Sequence, residues 1–429
     1  MGFAKEKMFG EKKRLPLQVF IDKGIFLPID VAYAKLIAKE EKDLPLQAAL
    51  LKAAREGHLC FEKSLIEDPA LLSLLPDGRH YLPKYAQIED TIVSNIKRLS
   101  NLSIITGGPG TGKTYSAIQI IKKMDTKTIV AAPTGKAAAH LMSKIDLPIK
   151  GGTLHSLLTG EPLDANLIIV DECSMIDPII FAKLLSATPD EATLILMGDV
   201  HQLPAVEGGS IFKDLIDSGQ IPTTTLTKCH RSDQKEILDL ATAILNNTIN
   251  DIRNIDLGFS QNNIEKIYQN LWRYVKDKDF TSFRILSTLR KGPLGTNALN
   301  RFLFEKFSPA DTYPILITQS DKKTGLSNGE TGLLSGDIAT FGDLQFPKSQ
   351  LPPFEYAYCI SVHKSQGSEY NDVLFLVPDG SESFGKEVLY TAVTRAKHTL
   401  HIDGSPEPIA SALSRSNTRL SGVASKLAS

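Results

Sequence analysis

The sequence lacks the long apolar runs of a membrane protein. Its 429 residues are 42% hydrophobic, yet no stretch reaches the roughly 18 consecutive apolar residues that a membrane-spanning helix requires. The first residues, MGFAKEKMFGEKKRLPLQ, are charged and lack the apolar core of a secretory signal. We therefore expect a protein that does not enter a membrane and that stays in the cytoplasm.

The sequence also has few cysteines and a net charge close to zero. The formal net charge is -1, so the chain has no overall basic excess to indicate nucleic-acid binding. A protein that grips one strand needs only a local basic groove, so the total charge does not exclude such binding either. The cysteines are widely separated and form no CxxC pair, which argues against disulfides and against a zinc site: Cys60, Cys173, Cys229 and Cys359.

The order of apolar segments predicts an α/β protein of about two to four domains. Residues 16–80 have helical apolar spacing and no catalytic motif. From about residue 85, short runs rich in Ile, Val and Leu alternate with helical segments, as in a parallel sheet with crossover helices. A second series of such runs follows, as FRILST (283–288), PILITQ (314–319), YCISVH (358–363) and DVLFLV (372–377).

A glycine-rich segment predicts a nucleotide site. GGPGTGKT at 107–114 fills every fixed position of GxxxxGK[ST], between a predicted strand and a predicted helix. Its backbone N–H groups can surround a phosphate, and the helix N-terminus adds partial positive charge. Lys113 would reach the β- and γ-phosphates of ATP, and Thr114 would hold Mg²⁺. The predicted binding residues are Gly107, Gly108, Pro109, Gly110, Thr111, Gly112, Lys113 and Thr114.

A pair of acids at 171–172 completes this site. In LIIVDECSM (167–175), four apolar residues predict a buried strand, and two carboxylates follow at its end. Asp171 would bind Mg²⁺, while Glu172 stays free to polarise the water that attacks the γ-phosphate. Kinases, GTPases and switches share such a site, so it does not by itself identify a motor.

Five further motifs specify a family. In chain order they are APTGKAAA (132–139), GDVHQLPAVEGG (198–209), LTKCHRS (226–232), SVHKSQGSEYNDV (361–373) and LYTAVTRAKHTL (389–400). With the two nucleotide motifs, this set resembles the motifs of superfamily 1 DNA helicases, in particular their RecD branch. REGHLCFEKS (55–64) is similar to the corresponding stretch of the alpha subunit of exonuclease V.

The resemblance implies an architecture. It predicts two tandem RecA-like P-loop NTPase domains with parallel sheets, a helical N-terminal domain, and a small β insertion within the second RecA-like domain. The expected parts are a helical partner-docking domain at 1–84, the first RecA-like domain at 85–218, the second in two pieces at 219–307 and 356–404, an SH3-like insertion at 308–355, and a flexible tail at 405–429.

The resemblance also implies roles for further residues. Gln202 is placed like the amide that senses the γ-phosphate, and Arg231 and Arg395 like two arginines that reach across from the second RecA-like domain. A planar, permanently charged guanidinium suits the transferring phosphoryl group. Arg395 is expected in the middle of a helix, TAVTRAKH. Gln87 is placed like the glutamine that reads adenine, although a single glutamine could equally be a surface residue.

Contacts to single-stranded DNA are implied for loop residues of both domains. Hydroxyls, lysines and neutral histidines can bond phosphates without reading bases. The candidates are Thr134, Lys136, His155, His363 and Lys364, each of which could instead be an ordinary polar loop residue.

The family further implies 5′-to-3′ movement and RecB- and RecC-like partner subunits in double-strand break repair, at the DNA of the nucleoid.

Relatives usually carry a β-hairpin that splits the duplex, and it lies between the positions of Lys136 and Asp171. Here TGEPLDAN (159–166) leaves room for only a tight turn. A translocating helicase subunit, a subunit whose ATPase is only a switch, and a stand-alone helicase therefore all remain open.

Overall fold

The part of the chain that the structure describes contains two parallel sheets, one antiparallel sheet and a helical N-terminal part. The computed structural model describes residues 17–229, 235–261, 263–307, 312–321, 323–416 and 419–429. The predicted α/β class with two parallel sheets is confirmed. Within the described ranges, no helix combines the length and the apolar composition needed to cross a membrane.

The N-terminal part is a small helical unit with its own core. Phe20, Phe26 and Phe61 are among its fully buried side chains. A two-residue antiparallel bridge between Phe61 and His80 closes it. Its helices are α1 (Gln18–Asp22), α2 (Pro28–Ile37), α3 (Leu44–Arg55) and α4 (Pro69–Leu72), and α2 and α4 begin with the proline that favours a first helical turn.

The first unit is built on a six-stranded sheet of order β3-β2-β4-β5-β1-β6, in which every pairing is parallel. Its strands are β1 (Leu102–Gly107), β2 (Thr128–Ala132), β3 (Lys150–Thr153), β4 (Leu167–Val170), β5 (Thr193–Gly198) and β6 (Thr223–Leu226). The boundary expected at residue 218 is therefore too early, because β6 lies beyond it and pairs with β1.

Both faces of this sheet are covered, which explains its continuous apolar strands. In β4, Ile168 and Val170 pack into the core on one face, whereas Leu167 and Ile169 pack into the core on the other. The covering helices are α5 (Pro83–Arg98), α6 (Lys113–Met124), α7 (Gly135–Met142), α8 (Leu154–Leu157), α9 (Pro178–Ala187) and α10 (Ile211–Asp217).

The second unit has a four-stranded parallel sheet of order β13-β7-β14-β15. Its strands are β7 (Phe283–Ser287), β13 (Cys359–Ser361), β14 (Tyr370–Val377) and β15 (Ala396–Gly404). The surrounding helices are α11 (Lys235–Leu245), α12 (Ile264–Val275), α13 (Thr296–Phe307) and α14 (Lys386–Val393).

A five-stranded antiparallel sheet is inserted into the second unit after α13, as predicted. Its strands are β8 (Thr312–Ile317), β9 (Thr331–Ser335), β10 (Ile338–Phe341), β11 (Leu344–Pro347) and β12 (Phe354–Tyr356). The last strand pairs with β8, so the insertion ends one residue after the expected limit of 355.

The expectation of a flexible tail at 405–429 is wrong. Helix α15 (Pro406–Ser414) packs on the second unit through Ile409 and Leu413, while α16 (Val423–Ala428) packs on the first unit through Val423 and Leu427. The apolar side chains of both helices are buried in these two cores.

Between these helices, the chain bonds the first unit and the N-terminal part. The Arg419 guanidinium donates to the carbonyl of Ala205, and the Leu59 N–H donates to the carbonyl of Leu420 at 2.9 Å. The Gly422 N–H donates to Oε1 of the buried Glu89 at 2.8 Å. Together with α15, residues 419–428 thus connect the second unit to the first unit and to the N-terminal part.

Candidate active site

The glycine-rich loop lies between β1 and α6, where its sequence predicts it. Gly110 has φ +69° and Gly112 has φ +93°, a backbone region that glycine enters without steric cost. The Lys113 ammonium is folded onto its own loop, where Nζ donates to the carbonyls of Gly107 at 2.6 Å and Gly108 at 3.1 Å. The loop therefore already holds the Lys113 ammonium, which can leave these carbonyls to bind a phosphate.

The two predicted acids emerge together at the carboxyl end of β4. Asp171 Oδ1 accepts from the Glu172 N–H at 2.8 Å, which orients the first carboxylate. Glu172 has φ +53°, a left-handed conformation that costs energy in a residue other than glycine and that is often found at functional sites. Burial raises the pKa of both carboxyl groups, and the Asp171 charge raises that of Glu172 further. A base with a raised pKa is well suited to proton transfer near neutral pH.

Gln202 follows β5 and is 6% exposed. Its Nε2 lies 3.5 Å from Oδ2 of Asp199, the first residue after that strand. Its Oε1 is buried and has no hydrogen-bond partner among the described residues. Gln202 therefore brings an unsatisfied acceptor to the edge of the sheet where Glu172 also lies.

Arg395 enters this region from the second unit, but not from the middle of a helix as predicted. Helix α14 ends at Val393, and β15 begins at Ala396, so Arg395 occupies the turn between them. The guanidinium donates to three neutral oxygens: the carbonyls of Thr391 at 3.0 Å and Ser368 at 3.2 Å, and the hydroxyl of Thr394 at 3.3 Å. No ion pair among the described residues includes it.

A cavity of about 530 Å³ brings these groups together between the two units. Residues that sequence reasoning missed also line it. His140 lies on α7, Lys144 follows the end of that helix, and Gly367 and Glu369 come from the second unit. Partial desolvation lowers the pKa of His140. The lining groups predicted from sequence are Pro109, Gly110, Thr111, Gly112, Lys113, Thr114, Asp171, Glu172, Gln202 and Arg395.

Among the described residues, Gln87 is predicted for this site but does not line the cavity. Gln87 is exposed on α5 and lines a separate groove with Thr159, Pro162 and Lys183, so an adenine-reading role is not supported. Arg231 lies outside the described residues. Position along the chain suggested Gln87, but α5 packs against α9 on one face of the sheet, which carries its side chain to a different groove.

The predicted DNA-contacting residues occupy both units. Thr134 Oγ1 accepts from the Ala137 N–H at 3.3 Å and so caps α7, and the Lys136 ammonium lies 5.7 Å from the ring centroid of Tyr370 in the second unit. The Lys364 ammonium pairs with Glu355 at 2.6 Å.

The two histidines differ in their surroundings. His155 is exposed, whereas His363 lies beside Phe384 with a pKa that burial lowers. Neutral histidine and partly engaged lysines fit a surface that bonds phosphates weakly and reversibly. Their role toward DNA stays a prediction.

Comparisons with known proteins give one consistent result. A family model described as an AAA domain matches residues 89–266, and one described as a UvrD-like helicase C-terminal domain matches residues 356–402. The chain is 28% identical to the RecBCD enzyme subunit RecD of Mycobacterium tuberculosis, over 93% of this chain and 88% of the relative. It is also 28% identical to the corresponding subunit of Mycolicibacterium smegmatis, over 83% of this chain and 79% of the relative.

A third relative is the ATP-dependent RecD2 DNA helicase of Deinococcus radiodurans, 28% identical over 85% of this chain and 58% of the relative. Among solved structures, a Pif1 helicase from Bacteroides bound to single-stranded DNA is 19% identical over 75% of this chain and 93% of the other, with a TM-score of 0.48. The two matched family models span the nucleotide loop, the paired acids and the last two motifs of the second unit. Over most of its length the chain is similar to RecD subunits and to a protein named as a RecD2 DNA helicase.

Proposed function

We propose that this chain is an ATP-driven motor that moves along single-stranded DNA, as the RecD-like subunit of a helicase–nuclease complex that acts in double-strand break repair and recombination. The observation that carries the proposal is the cavity between the two units, lined by Lys113 and Glu172 from the first and Arg395 from the second. A site divided between two units changes shape when they close on a nucleotide, so hydrolysis can be coupled to movement.

The residues divide the chemistry of ATP hydrolysis among them. Lys113 leaves its own loop carbonyls to bind the β- and γ-phosphates, and Glu172 takes a proton from the attacking water. Gln202 accepts a hydrogen bond from that water through Oε1, and Arg395 meets the charge of the transferring phosphoryl group.

A Mg²⁺ ion that arrives with ATP fits the oxygen donors of Thr114 and Asp171. In the described part of the chain, no three His, Cys, Asp or Glu side chains cluster to hold a metal by themselves. Few protein ligands suit Mg²⁺, which keeps waters and nucleotide phosphates in its coordination shell. When bound, it would neutralise charge on the β- and γ-phosphates.

The direct test is ATP hydrolysis with and without single-stranded DNA. We expect strong stimulation by an oligonucleotide, and we expect it to decline steeply as salt rises from 50 to 200 mM, because a grip on phosphates releases counterions. Hydrolysis that does not respond to DNA at any salt concentration would instead favour the second candidate, a subunit whose ATPase is only a switch.

The segment at 159–166, where relatives have room for a hairpin, supports a further prediction about unwinding. The described residues 158–166 contain no strand, and Leu163 and Ala165 are buried against the core of the first unit. Each base-pair step costs about 1.4 kcal/mol of stacking to open. A motor without a wedge must wait for the duplex end to fray.

We therefore expect the isolated chain to unwind a long, 5′-tailed, GC-rich duplex slowly, and to unwind it faster with its partner subunits. The measurement is a time course of strand displacement, with a short AT-rich duplex as the matched substrate. Rapid displacement of the GC-rich duplex by the chain alone would contradict this and would indicate a stand-alone 5′-to-3′ helicase.

The N-terminal part offers a surface for a partner subunit. On α2, Ile29, Tyr33, Leu36 and Ile37 are between 46% and 78% exposed. Their spacing places them on one face of the helix, while Val31 and Ala34 on the opposite face are buried in the core of the N-terminal part. Contiguous exposed apolar residues of this kind mark interaction sites. We propose that this face docks onto a RecB- or RecC-like subunit.

Replacing Tyr33 and Leu36 by serine should abolish co-purification with the partner subunits and leave ATP hydrolysis by the isolated chain unchanged. The matched control is Leu344→Ser, which removes an equally apolar side chain, 58% exposed, from the inserted sheet. Equal partner retention by the double variant and the wild type would contradict the assignment of α2. The proposed function also places the chain in the cytoplasm, at the DNA of the nucleoid.

A further inference from the structure

The loop around Gln202 is held by three hydrogen bonds from the second unit. The Leu203 N–H donates to the Thr391 hydroxyl at 3.0 Å, and Gln366 Nε2 donates to the Leu203 carbonyl at 2.9 Å. The Tyr390 hydroxyl donates to Oδ2 of Asp199 at 2.8 Å. These contacts lie on both sides of Gln202 in the sequence, so the second unit fixes the segment that carries it.

Asp199 determines which end of the Gln202 amide faces the cavity. This carboxylate is 1% exposed, and Oδ1 already accepts from the His201 N–H at 3.0 Å. The Gln202 amide turns its NH₂ group toward Oδ2, an oxygen that accepts hydrogen bonds. Gln202 Oε1 is then directed away from Asp199, which accounts for its lack of a partner among the described residues.

Tyr390 bonds Asp199 from across the boundary between the units. It lies on α14 of the second unit, its ring packs edge-on against His201 at 5.8 Å, and it is 4% exposed. Its hydroxyl also lies 3.2 Å from the point where a Cβ would stand on Gly108 of the nucleotide loop. One phenol group therefore lies close to the nucleotide loop and bonds the carboxylate that orients Gln202.

We infer that Tyr390 is a positioning residue for ATP hydrolysis, which holds Gln202 in its reactive orientation through Asp199 when the two units are together. The inference rests on the proposed function of the cavity. When the units separate, Asp199 loses its hydroxyl donor, and the amide is no longer held with Oε1 toward the water. The hydrogen bond between Tyr390 and Asp199 thereby links closure of the cleft to alignment of the water.

The test is a double-mutant cycle between Tyr390→Phe and Gln202→Ala, with kcat for ATP hydrolysis in saturating single-stranded DNA as the readout. We expect Tyr390→Phe to lower kcat by about tenfold, the effect of losing a hydrogen bond to a charged group, with KM for ATP unchanged. In the Gln202→Ala background, the same substitution should cause no further loss. The matched control is Tyr358→Phe, which removes from the second unit a buried hydroxyl that has no partner among the described residues, and it should leave kcat unchanged.

Wild-type kcat in Tyr390→Phe, or losses that multiply in the double variant, would overturn the inference while leaving the proposed function intact. A wild-type chain without any ATPase activity would overturn both. Thermal denaturation identifies an unfolded variant, and Asp199→Asn then replaces Tyr390→Phe in the cycle, with the same absence of further loss expected in the Gln202→Ala background.

Discussion

A chain carrying Glu172→Gln should bind ATP as tightly as the wild type and hydrolyse it roughly 100- to 10,000-fold more slowly, the usual contribution of a general base. The substitution keeps the shape of the side chain and its left-handed backbone, but an amide cannot take a proton from water. Burial and the neighbouring Asp171 raise the pKa of Glu172, which makes it a stronger base than an exposed glutamate. Single-turnover hydrolysis and equilibrium binding of ATP measure the two effects separately.

The matched control for this variant is Glu191→Gln, an exposed glutamate in the turn before β5, which should hydrolyse ATP at the wild-type rate. Lys113→Ala gives a contrasting result, because loss of the cation that binds the phosphates should impair ATP binding as well as hydrolysis. Unchanged turnover in Glu172→Gln would show that another group accepts the proton.

Replacing Arg395 by alanine should lower kcat by about 1,000- to 100,000-fold, the range found for arginines that stabilise phosphoryl transfer. The guanidinium is 4% exposed and is held only by neutral oxygens, so its charge is not cancelled by an ion pair among the described residues. That charge also acts on Glu172, whose pKa it lowers, and it is available to the γ-phosphate once the units close. The measurement is steady-state hydrolysis in saturating single-stranded DNA.

Arg395→Lys should recover only part of this loss, because an ammonium keeps the charge but cannot donate from a planar fork. Arg253→Ala is the matched control, since that arginine pairs with Asp251 at the surface, where ion pairs contribute little. An Arg395→Ala chain with near-normal kcat would place the essential second-unit charge elsewhere, and Arg231 would be the next candidate.

Sequence alone predicted the parts of the site that are formed by neighbouring residues. The nucleotide loop and the paired acids each follow a short apolar run, and a parallel sheet brings the carboxyl ends of such strands to one edge. Asp199, Tyr390 and His140 were missed because their contacts join segments far apart in the chain, and no local pattern encodes such contacts.

Two predictions from the sequence were wrong because contacts with distant segments, which local patterns do not show, decide the structure there. The helical spacing of EVLYTAVTRAKH continues past Val393, but Ala396 pairs with Tyr370 of β14, and sheet formation prevails over helix propensity there. The segment after residue 405 has a composition typical of loose chain, yet Val423 and Leu427 fill a core whose other members lie hundreds of residues earlier.

The position of α16 in the sequence delays completion of the first unit's core during synthesis of the chain. Val423 and Leu427 complete the same core as Ile92 and Leu215, but the ribosome makes them about 200 residues after the last strand of the first sheet. At about 5–20 residues per second, the nascent first unit waits roughly 10 to 40 s for this helix. During that interval its apolar socket between α5 and α10 is uncovered. A chaperone that shields this socket would therefore improve the yield of folded protein, and a chain halted before residue 423 would aggregate.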